Sequence, residues 1–236
     1  MKYQIVDANQ RGHIEQGWLN TYHSFSFADY YNPSMMHFGM LRVLNDDYVK
    51  PLSGFDMHDH HDMEIISIIL EGAIEHKDSM GNTDVIHAGE VQVMSAGSGV
   101  RHSEHNPLAD KWLNLFQIWI FPKSKGITPR YEKAKFEFKP NHWNCVVAPS
   151  TDYAKLSIHQ DAYLSLGEFD KSHENVSYNC YSAKNGVYLM VIDGEIIFEE
   201  TLIKKRDAVM ITEHHGKIDF TIKSPNVKLL LIEVPI

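Results

Sequence analysis

Residues 65–76 read IISIILEGAIEH, a β-branched apolar run, an acidic residue with glycine, and a second run. Residues of this kind, cut by Glu71-Gly72, favour two short strands around a turn over a helix. Residues 187–198, VYLMVIDGEIIF, repeat the arrangement, and each copy leads to a charged turn and another apolar run, AGEVQVMSAG at 88–97 and KRDAVMITEH at 205–214. A β module that returns about half a chain later predicts two similar domains. Further runs at 113–121 (LNLFQIWIF) and 227–234 (VKLLLIEV), with turns at Met80-Gly81-Asn82 and Ala88-Gly89-Glu90, make the chain all-β. The expected architecture is an antiparallel sandwich or barrel in each half. One short helix is expected over 151–162, with Asp152 as its cap.

The 236 residues suffice for two domains. The stretch Pro122-Lys123-Ser124-Lys125-Gly126-Ile127-Thr128-Pro129 reads as a linker, which places an N-terminal domain at 1–130 and a C-terminal one at 131–236. Hydrophobic residues at 43% and charged residues at 22% fit a globular protein. Twenty-two basic against 31 acidic side chains give a net charge of -9, which would repel a polyphosphate and argues against a nucleic-acid partner. No apolar run approaches the roughly 18–20 residues that span a bilayer, and MKYQIVDANQRGH lacks the apolar core of a signal peptide. A cytoplasmic monomer without membrane attachment is expected. Cys145 and Cys180 are then reduced, buried thiols.

The chemistry concentrates in 15 histidines. In His58-Asp59-His60 the two-residue spacing puts both imidazoles on one face of a strand. His102-Ser103-Glu104 repeats the spacing with an imidazole and a carboxylate. Facing one another, these segments supply three nitrogens and one oxygen, a donor set for a divalent transition metal: Fe, Ni, Co, Mn, Cu or Zn. Glu64 shares the parity of His58 and His60 and is the rival fourth ligand, but it lies roughly 13 Å beyond His60 on an unbent strand. Glu104 is favoured. His61, His105, His214 and His215 have no second pair at strand spacing and are expected at the surface, while His76 and His87 sit beside turns and are expected to be structural. Gly97-Ser98-Gly99 lacks the lysine and the strand–helix context of a phosphate loop, and neither cysteine belongs to a C-x-x-C pair.

Taken together, GFDMHDHHDMEIISIILEGAIEHKDSMGN at 54–82 and AGEVQVMSAGSGVRHSEHN at 88–106 resemble the pirin family of the cupin superfamily. The resemblance covers most of residues 10–135, and it is nearer the bacterial quercetinase-like members than the animal nuclear ones. It implies a bicupin of two antiparallel β-barrels with a single metal, Fe(II) by family habit, in the first. It also implies His58, His60, His102 and Glu104 as ligands. The implied activity is a quercetin 2,3-dioxygenase-like cleavage of a flavonol or other polyphenol by O2, with Glu104 as catalytic base or, in its place, a metal-bound hydroxide. Phe38, Phe55 and Met57 are candidate pocket walls, because a planar substrate needs apolar faces. The alternative the family offers is a metal-dependent, redox-responsive regulator or protein-binding module; nothing in the sequence names a protein partner. Asp59 and His61 stand where the family often has proline and a basic residue, a change expected to make the mouth more acidic without touching ligation.

Overall fold

The computed structural model describes residues 1–236. It is built of strands, with helical geometry confined to the three-residue 3-10 turns Ala8–Gln10 and Lys171–His173. No helix is long and apolar enough to cross a membrane. The quoted run forms the strands Glu64–Glu71 and Ala73–Asp78, and its repeat forms Asn185–Asp193 and Ile196–Phe198. In neither copy do the two strands pair with each other: each turn carries the chain from a larger sheet to a smaller one. Gly72 and Gly194 occupy these corners at φ +80° and +86°, where a side chain would be strained. The duplication seen in the sequence is therefore a repeated corner between sheets.

The chain divides into two compact units, one of Gly12–Phe136 with Lys155–Gln160, the other of Met1–Arg11, Glu137–Ala154 and Asp161–Ile236. This differs from the expected 1–130 and 131–236. The first residues belong to the second unit because Lys2–Val6 pairs antiparallel with Ala208–Thr212, a long-range match that local signals do not carry. The Pro122–Pro129 stretch lies inside the first unit, and Arg130–Lys135 after it forms an edge strand against Glu90–Ser95.

In the first unit the larger sheet runs in the order Arg130–Lys135, Glu90–Ser95, Glu64–Glu71, Leu113–Ile120, Leu41–Val49, Leu19–His23, Gly12–Glu15. The smaller runs Gly54–His60, Val100–His105, Ala73–Asp78, Thr83–His87. The second unit repeats the plan with Asn185–Asp193, Asn226–Pro235 and Tyr163–Asp170 central in its larger sheet. The strands pair antiparallel as expected, but the sheets stay separate, so the barrels are open sandwiches rather than closed cylinders.

The two interiors differ in kind. In the second unit the alternating positions Val187, Leu189 and Val191, Ile218, Phe220 and Ile222, and Val227, Leu229 and Leu231 join one apolar core. In the first, register aligns His23, Asn45, Gln117, Ser67 and Gln92 in one row across five strands. All five are buried. Buried polar side chains must find partners, so such a row inside a sandwich serves something other than packing.

The helix expected over 151–162 is absent. Ser150 and Asp152 bond each other instead, the hydroxyl donating to the carboxylate and the Asp152 amide to the hydroxyl, a local closure that competes with helix formation. The segment continues as the short strand Leu156–Ser157. Both cysteines are free and half-buried. His214, expected at the surface, is buried, bonded through Nε2 to the Asn185 carbonyl and accepting the Gly216 amide at Nδ1.

Candidate metal centre

His58 and His60 lie on the strand Gly54–His60, and His102 and Glu104 on its antiparallel neighbour Val100–His105. His102 stands directly opposite His58. The three imidazoles converge, with ring centroids 4.5 Å apart for His58 and His102, 4.8 Å for His58 and His60, and 4.9 Å for His60 and His102. Between His102 and Glu104 the pairing slips, so that Glu104 faces Phe55 and two residues on one strand, Asp56 and Met57, answer one on the other, Ser103. This bulge reverses the alternation at its upstream side. It brings Phe55 onto the face of the histidines, while Met57, next to His58, points out by ordinary alternation and is 44% exposed. Gly54 is required beside it: a Cβ there would collide with the Glu104 carbonyl and the His105 backbone.

Hydrogen bonding and burial prepare the side chains as donors. The Asp56 carbonyl can only accept, so the 2.7 Å contact from His58 fixes the proton on Nδ1 and leaves Nε2 free. Burial, aided by the repulsion of its imidazole neighbours, lowers the His60 pKa to about 3 and the His102 pKa to about 3. Both ring nitrogens of His102 are buried without a hydrogen-bond partner. An imidazole in that state lacks what buried polar groups almost always have. A cation held by His58, His60 and His102 would give one of these nitrogens a partner, and the nitrogen-rich set suits a first-row transition ion.

Glu104 is 3% exposed and held from the opposite sheet. Gln92 donates to its Oε1 at 2.6 Å, Gln117 to its Oε2 at 2.7 Å, and Ser67 to Oε1 at 3.3 Å. The polar row of the larger sheet thus ends in a cradle for this carboxylate. Ligand atoms fall into two groups within 4.8 Å that share His102: one with His58 and His60, the other with Glu104 and His76. His76 was expected to be merely structural. It stands opposite Glu104 across the strand pair, fully buried, stacked on Tyr131 at 4.3 Å and bonded through Nε2 to Asp78 at 3.1 Å. Its position follows from register, which the sequence spacing of His76 from the turn does not reveal.

Glu64 is buried but elsewhere: Ser95 donates to its Oε2 at 2.7 Å, and His159 Nδ1 lies 3.6 Å from Oε1. The cleft over the cluster encloses about 440 Å³ out to its open mouth. Phe27, Phe55, Leu19, Ile65 and Trp119 give it apolar walls, and His60 meets Trp119 edge-on at 4.9 Å. Phe38 and Met57 do not line it. Phe38 bridges to Leu41 in the packed interior. The wall residues that sequence reasoning missed, Phe27 and Trp119, are inward positions of strands or loops far along the chain from the histidines. At the rim Asp59 points outward, paired with Arg101 at 2.8 Å.

Two antiparallel sandwiches, with imidazoles converging inside the first, define a cupin-type protein. A Pirin family model matches residues 5–120, and a model described as Quercetinase C-terminal cupin domain matches residues 145–234. The chain is 43% identical over 209 residues to the quercetin 2,3-dioxygenase of Escherichia coli (strain K12), covering 89% of each, and 40% identical over 205 residues to a pirin-like protein of Caulobacter vibrioides, covering 86% of this chain and 87% of that one. It superposes with a TM-score of 0.91 on the bacterial pirin YhhW of Escherichia coli in complex with nickel(II), at 38% identity and 99% coverage of both chains. The chain belongs to the pirin family.

Proposed function

We propose that this protein is a metal-dependent dioxygenase that opens a flavonol such as quercetin with O2, using one divalent transition ion, Fe(II) by preference, held by His58, His60, His102 and Glu104. The observation that carries the reading is the His102 imidazole, buried with neither nitrogen satisfied, where His58 and His60 on one side and a cradled carboxylate on the other come within ligand reach of it. Relatives named quercetin 2,3-dioxygenase, and a nickel(II) complex of a similar pirin, support it.

When bound, such an ion supplies Lewis acidity toward an enolic oxygen and a place for O2. The chain's own residues do the rest. Glu104 accepts the proton of the flavonol 3-hydroxyl; a carboxylate oxygen has more than one lone pair, so the amide bonds from Gln92 and Gln117 fix its direction without exhausting it. Phe27, Phe55 and Trp119 flank the planar rings and keep water from the reacting edge. His58, fixed with its proton on Nδ1, presents Nε2 inward.

The test is an aerobic assay of purified protein reconstituted separately with Fe, Mn, Co and Ni, following loss of flavonol absorbance and release of carbon monoxide. Turnover with at least one metal, lost in Glu104→Gln, supports the reading. A metal-replete protein that consumes neither flavonol nor O2 overturns it and leaves the regulatory role.

A further inference from the structure

Asp47 is a carboxyl for which packing gives no reason. It is 3% exposed and lies on the wall of the cleft. The hydrogen bond to its side chain comes from Thr21 Oγ1 at 2.5 Å, directly across the strand pair. The charged groups that act on it, Asp46 and Glu104, are both acidic. Burial pushes its pKa up to about 7 against the pull of the Thr21 bond. A buried carboxyl with one donor and no cation is costly, and an apolar side chain of similar size would fit the sheet better.

Its place in the register suggests what completes it. Gln117, which grips Glu104, stands opposite Asn45, and Asp47 is two residues along the same strand. Asp47 and Gln117 are therefore diagonal neighbours, about 7–8 Å apart across the sheet. That step leads along the cleft from Gln117, which holds Glu104, toward Leu19 and Phe55, the direction in which the outer rings of a flavonol held at the histidine cluster would extend.

We propose that Asp47, backed by Thr21, is a specificity-determining residue that accepts a hydrogen bond from a ring hydroxyl of the polyphenol whose 3-hydroxyl is held at the histidine cluster. The assignment rests on the flavonol reading given above. A phenol donating to a carboxyl in a water-excluded cleft makes a strong bond, and a site built for that bond discriminates against an analogue lacking the hydroxyl.

The experiment measures binding of quercetin and of 3-hydroxyflavone, which carries only the 3-hydroxyl, to the metal-replete protein under argon, by quenching of tryptophan fluorescence. The wild type is expected to prefer quercetin by about tenfold or more. Asp47→Leu is expected to bring the two affinities within about twofold of each other while leaving that of 3-hydroxyflavone unchanged, with Asp47→Asn between. Melting temperatures of both variants are expected to equal or exceed that of the wild type, which a structural role would not allow. Equal preference in wild type and variants, or variants that melt well below the wild type, overturns the assignment of Asp47 alone. Failure of the wild type to bind either flavonol overturns the functional reading and this assignment with it.

Discussion

Gln117 donates from Nε2 to Oε2 of Glu104 at 2.7 Å, reaching from the larger sheet to a residue of the smaller. With Gln92 on the other oxygen, the orientation of the carboxylate is set by a sheet that carries none of the three clustered imidazoles, His58, His60 and His102. Gln117→Leu should leave the fold intact, since the volume is nearly kept, but lower metal affinity by about 10–100-fold, as loss of an outer-shell partner does. Competition titration against a chelator measures this. Unchanged affinity would mean that Glu104 does not ligate.

Removal of the imidazoles separates the candidate ligands. His58→Ala and His102→Ala should each abolish stoichiometric metal uptake, measured by elemental analysis after desalting. Glu64→Ala and His76→Gln should not, because Glu64 is engaged with Ser95 and Nε2 of His76 with Asp78. Loss of metal in His76→Gln would move the centre to the second group of ligand atoms.

Asp47 predicts a stability profile of unusual sign. Its ordinary value is 3.8 and its value in the fold about 7, so the folded chain holds a proton that the unfolded chain releases. Stability contributed through this group is therefore present below about pH 4 and lost as the pH rises to about 7, by up to about 4 kcal/mol. Asp46 and Glu104 raise the value further, whereas the cleft histidines His23, His60 and His102, held neutral by burial, lose stability in the opposite direction as acid is added. The Asp47→Asn minus wild-type difference cancels most of that opposing contribution. Urea unfolding of metal-free protein between pH 4 and 8 should show the difference growing across the window and levelling above it. A flat difference would be contrary to this account.

The two thiols should be poor nucleophiles. Burial raises the Cys145 pKa and pushes that of Cys180 up to about 12. At pH 8 the thiolate of Cys180 should be on the order of 10³ scarcer than that of free cysteine, and alkylation by iodoacetamide correspondingly slow until the protein is unfolded. Rapid labelling of folded protein, followed by mass spectrometry, would contradict this.

Much of this was legible in the sequence, for identifiable reasons. Period-two spacing put His58 with His60, and His102 with Glu104, because alternation survives wherever a strand is regular. Apolar character alone makes Phe55 and Met57 equal candidates for the pocket wall; only Phe55 reaches the cleft, because the bulge between it and His58 shifts parity and leaves no compositional trace. His76 is expected only to be structural, and its place opposite Glu104, like that of Asp47 on the cleft wall, comes from register between strands distant in the chain. The helix over 151–162 was misread for a different reason: Asp152 was credited as a cap, while Ser150 beside it closes a turn that needs no helix. The first eleven residues were assigned to the nearer domain because nothing local in Lys2–Val6 points to Ala208–Thr212.

Strand alternation around the bulge opposite Glu104 gives chain length a meaning that residue identity does not have. Deleting one amino acid between Phe55 and His58 would remove the bulge and set the two residues two apart, where regular alternation still holds ring and imidazole on one face. One residue removed between His58 and His60, or between His102 and Glu104, would instead put the two members of the pair on opposite faces and disable the centre while every residue assigned to it was still present.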